Sequence, residues 1–157
     1  MLMLAAFALM WSCSSDDDDP EVVDPVNFTE TQLTPGNDER PSWTKPDYRQ
    51  FQQTMTVQVR LQEALSSYIT SQDLLCAKLG DQIGAVAVPN ESEIGYYFPL
   101  SIATNKSDVM VSIHYYCDSL HRIFSIENWR KYDESISPLD EDNEPYLLEF
   151  ITSEKSE

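Results

Sequence analysis

Apolar and polar residues alternate along three stretches of the chain between residues 54 and 115. A period of two is the pattern of a β-strand that buries one face and exposes the other. The apolar members are Met55, Val57, Val59 and Leu61, then Tyr96, Phe98, Leu100 and Ile102, then Val109, Val111, Ile113 and Tyr115. Two shorter apolar runs, 74–79 and 83–88, flank Gly80-Asp81, a pair that favours a hairpin turn. The pattern therefore predicts short strands joined by tight turns.

The remaining segments complete an all-β prediction. Leu120–Ile126 is expected to pair with the strand that ends near Tyr115, across a turn at Asp118-Ser119, and Tyr146–Phe150 is the expected last strand. Gln62–Ser71 mixes helix and turn residues and predicts a short helical turn. Strands at a spacing of roughly 8–14 residues are typical of sandwiches and barrels. We expect an antiparallel β-sandwich, immunoglobulin-like or jelly-roll-like, of about seven or eight short strands.

The chain begins with an apolar run of a different kind, from Met1 to Trp11. A helix of this length rises about 16 Å, whereas the hydrocarbon core of a bilayer is about 30 Å thick, so the run is too short to span a membrane. A buried helix is disfavoured because Asp16–Asp19 would lie near its C-terminal end, where the helix dipole opposes negative charge. The run has the length of a signal-peptide hydrophobic region, and residues 1–12 are predicted to be a signal peptide.

The residues at the end of this run resemble the export signal of bacterial lipoproteins. Met10-Trp11-Ser12-Cys13 is similar to a lipobox, the site at which a signal peptidase cuts before a cysteine that carries lipid. The next six residues resemble the acidic tag that directs Bacteroidetes lipoproteins to the outer surface, and they are Ser14, Ser15, Asp16, Asp17, Asp18 and Asp19. The resemblance implies lipidation of Cys13, anchoring in the cell outer membrane and exposure on the cell surface.

Charge divides the chain into regions. The sequence has 27 acidic and 10 basic residues, a net charge of −17, and the excess lies in residues 1–46 and 133–157. Such a balance argues against nucleic-acid binding, which relies on clustered Lys and Arg. We expect a lipidated cysteine and a disordered acidic tether over residues 13–42, because this stretch is rich in proline and acid and has no periodicity. The β-sandwich domain is expected over 43–152, followed by a disordered tail over 153–157.

The order of short motifs after residue 43 resembles a small β domain that recurs in Bacteroidetes surface and secreted proteins. The matching residues are Trp43, Met55-Thr56-Val57, Asp73, Gly80-Asp81, Gly84-Ala85-Val86-Ala87, Tyr97-Phe98 and Tyr116-Cys117-Asp118. The chain departs from that pattern at Ala77-Lys78-Leu79, at Ile83 and at Cys117. The resemblance implies a β fold on an exported protein and no particular activity.

Residues that carry catalysis or bind metals are sparse. The sequence has two histidines, His114 and His121, and no Gly-x-Ser-x-Gly motif, so we expect no catalytic residue and no enzyme activity. We assign no cofactor and no metal ligand. The acidic run 140–144 has the oxygen ligands that calcium prefers but lacks the glycine and spacing of an EF-hand loop, so a calcium site and a solvated run both stay open. Cys76 and Cys117 form either a disulfide or two buried thiols.

Adjacent aromatic residues give the best indication of a ligand site. Strand geometry places Tyr96 and Tyr97, and likewise Tyr115 and Tyr116, on opposite faces, so one of each pair points outward unless another layer covers it. Exposed aromatic rings beside amide and carboxyl groups form platforms on which sugar rings stack. The predicted ligand-binding residues are Trp43, Tyr97, Tyr116 and Trp129.

Together these features predict a non-catalytic binding or interaction module that is anchored at the cell surface. Its expected partners are the outer membrane, through the lipid anchor, and a glycan or a neighbouring surface protein. The alternative is a structural or adhesin-like subunit of a cell-surface assembly.

Overall fold

Residues 33–150, the part of the chain described by this computed structural model, form two four-stranded sheets. The strands are β1 (Thr54–Leu61), β2 (Leu74–Leu79), β3 (Gln82–Ala87), β4 (Asn90–Ser92), β5 (Gly95–Ala103), β6 (Met110–Cys117), β7 (Arg122–Lys131) and β8 (Tyr146–Leu148). A 3-10 turn at Tyr48–Gln50 precedes β1, and a short helix, α1 (Glu63–Ser66), follows β1. None of the helices in this part of the chain has the length and apolar character needed to cross a bilayer.

The first sheet has the strand order β4-β5-β1-β8 and the second has the order β3-β2-β6-β7. Neighbouring strands are antiparallel except β8, which runs parallel to β1. The prediction of an all-β sandwich of about eight strands is confirmed. The predicted hairpin at Gly80-Asp81 is also present, with Leu79 opposite Gln82 and Gly80 at a φ of 67°.

The core lies between the sheets and follows the alternation in the sequence. Met55, Val57 and Val59 on β1 are fully buried, whereas the residues between them are partly or fully exposed. Across the core, the rings of Phe98 on β5 and Tyr115 on β6 meet with centroids 6.1 Å apart. The burial pattern of β1 therefore confirms which face of this strand is apolar.

The two sheets approach closely where β3 passes β5. A Cβ atom on Gly84 would lie 2.5 Å from Cδ1 of Leu79, 2.9 Å from Cγ2 of Ile102 and 3.2 Å from the carbonyl oxygen of Ala103. Larger side chains do not fit without displacing these atoms. Close approach of strand to strand thus accounts for the glycine at this position.

Asp73 is a buried charged residue that ties together the start of β2, strand β6 and the turn after β6. Its carboxylate accepts hydrogen bonds from the Tyr115 hydroxyl at 2.6 Å, from the Asp118 backbone N–H at 3.0 Å and from the Thr70 N–H and hydroxyl at 3.3 and 3.2 Å. Burial, followed by the bond to Asp73, raises the pKa of Tyr115. The network holds the turn after β6 in place.

The compact unit begins at Leu33, ten residues before the predicted domain start. Gly36 N–H donates to the Leu120 carbonyl at 2.7 Å, Asp38 N–H donates to the His121 carbonyl at 2.8 Å, and the Asp38 carboxylate accepts from Ile123 N–H at 2.7 Å. The expected disordered tether over 13–42 therefore does not hold for residues 33–42, because these long-range bonds leave no trace in local composition. The predicted signal peptide, the rest of the tether and the tail lie outside the described residues.

Candidate functional site

The outer face of the first sheet carries an open groove, which we call the Tyr97 groove, of about 400 Å³. Its apolar lining residues are Ile94, Tyr97, Leu139 and Pro145. Its polar lining residues are Gln58, Ser92, Glu93 and Asn143. The volume lies within the range of roughly 300–1,000 Å³ that is usual for small-molecule sites.

One wall of the Tyr97 groove is the hairpin formed by β4 and β5. Gly95 adopts a φ of 126° at the tip, and the Ser92 hydroxyl donates to the Gly95 carbonyl at 2.8 Å and accepts from Ile94 N–H at 3.3 Å. This tight turn projects Ile94, which is 76% exposed. The hairpin register places Asn90 opposite Tyr97, so Tyr97 lies two residue pairs away from the Ser92–Gly95 pair that closes the turn.

The other wall is the loop between β7 and β8, which contains the acidic run 140–144. The Asp140 carboxylate accepts the backbone N–H groups of Asp142 at 2.8 Å and Glu144 at 3.0 Å, and Asn143 adopts a φ of 65°. This carboxylate is thus engaged in holding the loop. Within residues 33–150, no group of three His, Cys, Asp or Glu side chains is arranged to hold a metal ion.

Two contacts fix this loop against β1. Gln58 N–H donates to the Pro138 carbonyl at 2.9 Å, and the Arg60 Nε donates to the Pro145 carbonyl at 3.1 Å. Arg60 also pairs with Glu144 at 3.5 Å. The wall that presents Leu139, Asn143 and Pro145 is therefore attached to the strand that presents Gln58.

The chemistry of the Tyr97 groove combines a ring face with groups that both donate and accept hydrogen bonds. The Gln58 and Asn143 amides offer both roles, and the Glu93 carboxylate accepts. Tyr97 is partly buried and lines the groove. Apolar lining with a few polar groups is the usual composition of a small-molecule binding site.

Leu139 also lines a second cavity, which we call the Arg130 cavity, of about 480 Å³. Here the Arg130 guanidinium lies 4.5 Å from the Trp129 ring centroid and 4.6 Å from the Tyr146 ring centroid. The Arg130 Nε is buried without a hydrogen-bond partner among residues 33–150. This stack bridges the edge strands β7 and β8, which gives Trp129 a packing role between the sheets.

The four predicted ligand-binding residues lie at three places. Tyr97 lines the groove, and Trp129 lies beside the Arg130 cavity. Trp43 packs on the outer face of the second sheet against a cluster that includes Tyr116, which is only 2% exposed. The prediction for Tyr116 is therefore corrected: residues 33–43 form a further layer over this face, with the Arg40 guanidinium 5.9 Å from the Tyr116 ring centroid.

Most lining residues of the Tyr97 groove were not predicted from the sequence. One local signal was present, because Ile94 is an apolar residue between Glu93 and Gly95 in a turn where polar residues are usual. Leu139, Asn143 and Pro145 carry no such signal, since they reach the groove only through the loop contacts with β1.

The two histidines lie away from the Tyr97 groove. His114 Nδ1 is 2.8 Å from the Ser125 hydroxyl, and its ring lies 6.4 Å from that of Trp43 on the covered face. His121 is exposed in the turn after β6, at a φ of 51°. Neither residue lines the Tyr97 groove.

The two cysteines in this part of the chain are buried free thiols. Cys76 lies opposite His114, and Cys117 lies three residues further along β6, so the two side chains point to opposite faces of the second sheet. Burial raises the pKa of Cys76 to about 12, which keeps this thiol protonated and unreactive at neutral pH.

Comparison with protein families, with curated proteins and with solved structures gave no match for this chain.

Proposed function

We propose that this protein is a non-catalytic binding module of the bacterial cell surface that holds a carbohydrate in the Tyr97 groove. The observation that supports the proposal is the groove itself, which one aromatic residue and two amide side chains line together. The apolar face of a sugar ring packs against an aromatic ring, and its hydroxyl groups pair with side chains that donate and accept. The groove satisfies both requirements.

The proposed location rests on the sequence resemblance. Lipid on Cys13 would anchor the protein in the outer membrane, and the tag Ser14–Asp19 would direct it to the outer surface. Several acyl chains provide stable anchoring, because each buried CH₂ contributes about 0.8 kcal/mol. These residues lie outside the part of the chain that the structure describes.

A glycan array probed with the full chain, purified in detergent, tests the proposal, and titration calorimetry measures the affinity of each retained glycan. Tyr97→Ala should weaken binding by about thirtyfold, because truncation of a central aromatic contact costs about 2 kcal/mol. Tyr96→Ala is the matched control, since Tyr96 neighbours Tyr97 on the strand and does not line the groove. Retention of no glycan, or equal affinity for Tyr97→Ala, would refute the proposal.

The second candidate is a structural or adhesin-like subunit, which is favoured by exposed apolar side chains. Ile94 is 76% exposed and Leu147 is 40% exposed, and burial of such residues drives association of protein surfaces. Crosslinking on intact cells should then give discrete species of higher mass that disappear with Ile94→Ser. A monomer under all crosslinking conditions contradicts this candidate.

A further inference from the structure

Among the residues that the structure describes, no Lys or Arg forms an ion pair with Glu93, a carboxylate in the wall of the Tyr97 groove. The ion pairs within residues 33–150 are Arg49–Asp47, Arg60–Glu144 and Lys131–Asp108. Glu93 is exposed and lies at the hairpin tip, directly before Ile94. The groove therefore offers an uncompensated negative charge beside an apolar lining.

Arg60 and Arg130, the basic residues next to the groove within the described part of the chain, are both engaged with other groups. Arg60, the basic residue attached to the loop wall, pairs with Glu144 at 3.5 Å and donates to the Pro145 carbonyl. Further carboxylates lie on both sides, with Glu91 on β4 and Glu141 and Asp142 in the loop. Arg130 belongs to the neighbouring Arg130 cavity, which Asp140 and Glu141 also line.

From this charge distribution we infer that the ligand of the Tyr97 groove is a glycan that carries free, protonated amino groups. This inference rests on the proposed function and specifies its ligand. An ammonium group pairs with the Glu93 carboxylate and is also attracted to the face of an aromatic ring such as that of Tyr97. An acetylated amine retains the hydrogen bonds and loses the charge. A carboxylated or sulfated sugar meets the like charge of Glu93.

Three tetrasaccharides of equal length separate these cases: a β-1,4-glucosamine tetramer, its N-acetylated counterpart and a uronic-acid tetramer. The full chain in detergent is titrated with each at pH 6, where the amine is protonated and ordinary carboxylates are ionised. The amine tetramer should bind about three- to thirtyfold more tightly than the acetylated one, the combined size of an exposed ion pair and a cation–π contact. The uronic-acid tetramer should bind most weakly, and the preference should shrink with added salt.

The variant Glu93→Gln isolates the charge. It should weaken binding of the amine tetramer by the share of the ion pair, about one and a half- to fivefold, and leave binding of the acetylated tetramer unaffected. Glu63→Gln on α1 is the control, because Glu63 is exposed and does not line the groove. A preference for the amine tetramer that is as large in Glu93→Gln as in the unaltered protein contradicts the inference.

The outcomes distinguish this inference from the proposed function. Equal or tighter binding of the acetylated or uronic-acid tetramer by the unaltered protein overturns the inference and leaves carbohydrate binding in place. Failure of all three tetramers, together with an empty glycan array, overturns both. Tighter binding of the amine tetramer, weakened by Tyr97→Ala for all tetramers and by Glu93→Gln for the amine tetramer alone, supports both.

Discussion

The two outer faces of the sandwich differ in whether residues 33–43 cover them. The outer face of the second sheet is covered by residues 33–43, and Trp43 packs there with Cys76 and Tyr116. The outer face of the first sheet, as far as residues 33–150 show it, is open and presents the Tyr97 groove. The burial patterns of the strands agree with this difference. β2 is buried at nearly every position, whereas β1 alternates buried residues with partly or fully exposed ones. A strand that is apolar on both faces needs a layer on each side.

The largest effect is expected where the covering layer is attached. Asp73 holds the turn after β6, and Gly36 and Asp38 bond to the carbonyls of Leu120 and His121 in that turn. Asp73→Ala leaves buried groups such as the Tyr115 hydroxyl without an acceptor, at about 1–3 kcal/mol each. We expect the free energy of unfolding to fall by about 3–5 kcal/mol, measured by urea denaturation.

Asp81→Ala is the control for this variant, because Asp81 is exposed in the turn between β2 and β3. A surface change of this kind should alter stability by less than about 0.5 kcal/mol. If Asp73→Ala and Asp81→Ala proved equally mild, the carboxylate network would not be what holds the covered side.

A pair of aromatic truncations compares the two faces directly. Trp43→Ala removes a partly buried ring from the covered face and should lower stability by about 2–3 kcal/mol, somewhat below the range for fully buried tryptophan. Tyr97→Ala on the open face should lower stability by less than about 1 kcal/mol while it weakens glycan retention. Urea denaturation measures the stability of each variant, and the glycan array measures its glycan retention. The reverse pattern, with Tyr97→Ala the more destabilising variant, would show that the open face is also part of the core.

The sequence predicted those features that local pattern determines. The alternation of Met55, Val57 and Val59 specified the buried face of β1, and Gly80-Asp81 specified a hairpin. The apolar run 74–79 signalled a strand but not what covers it. Neither the parallel pairing of β8 with β1 nor the docking of residues 33–42 has a local signature, because each depends on contacts between segments far apart in the chain.

In the candidate site, too, local sequence pattern predicts the strand residues and not the contacts made by distant segments. Tyr97 was predicted to face outward from its place in an alternating strand, and it does border the groove. Tyr116 satisfied the same rule, yet it is covered, since an added layer changes which face of a sheet meets solvent. The loop residues of the groove depend on Pro138 and Pro145 accepting hydrogen bonds from β1, and periodicity cannot reveal such bonds.

The smallest expected effect is a pH dependence of the free energy of unfolding that arises from one residue on the covered face. His114 lies beneath Trp43, between Lys78 on β2 and Glu127 on β7. Burial, and then the charge of Lys78, lower its pKa below the ordinary 6.5, with Glu127 acting in the opposite direction. The folded protein thus binds fewer protons at this residue than the unfolded chain once the pH falls below about 6.5.

The free energy of unfolding should therefore decrease as the pH falls from about 6.5 toward the lowered pKa of His114, and level off below it. Urea denaturation between about pH 7 and 5.5 measures this slope, which is small because the ring is only partly buried. His114→Gln should remove the contribution, and Trp43→Ala should reduce it, because solvent then reaches the imidazole. Tyr97→Ala should leave the slope unchanged, since the open face does not contact His114. A slope that Tyr97→Ala removed and Trp43→Ala retained would mean that the covering layer does not control the solvation of this face.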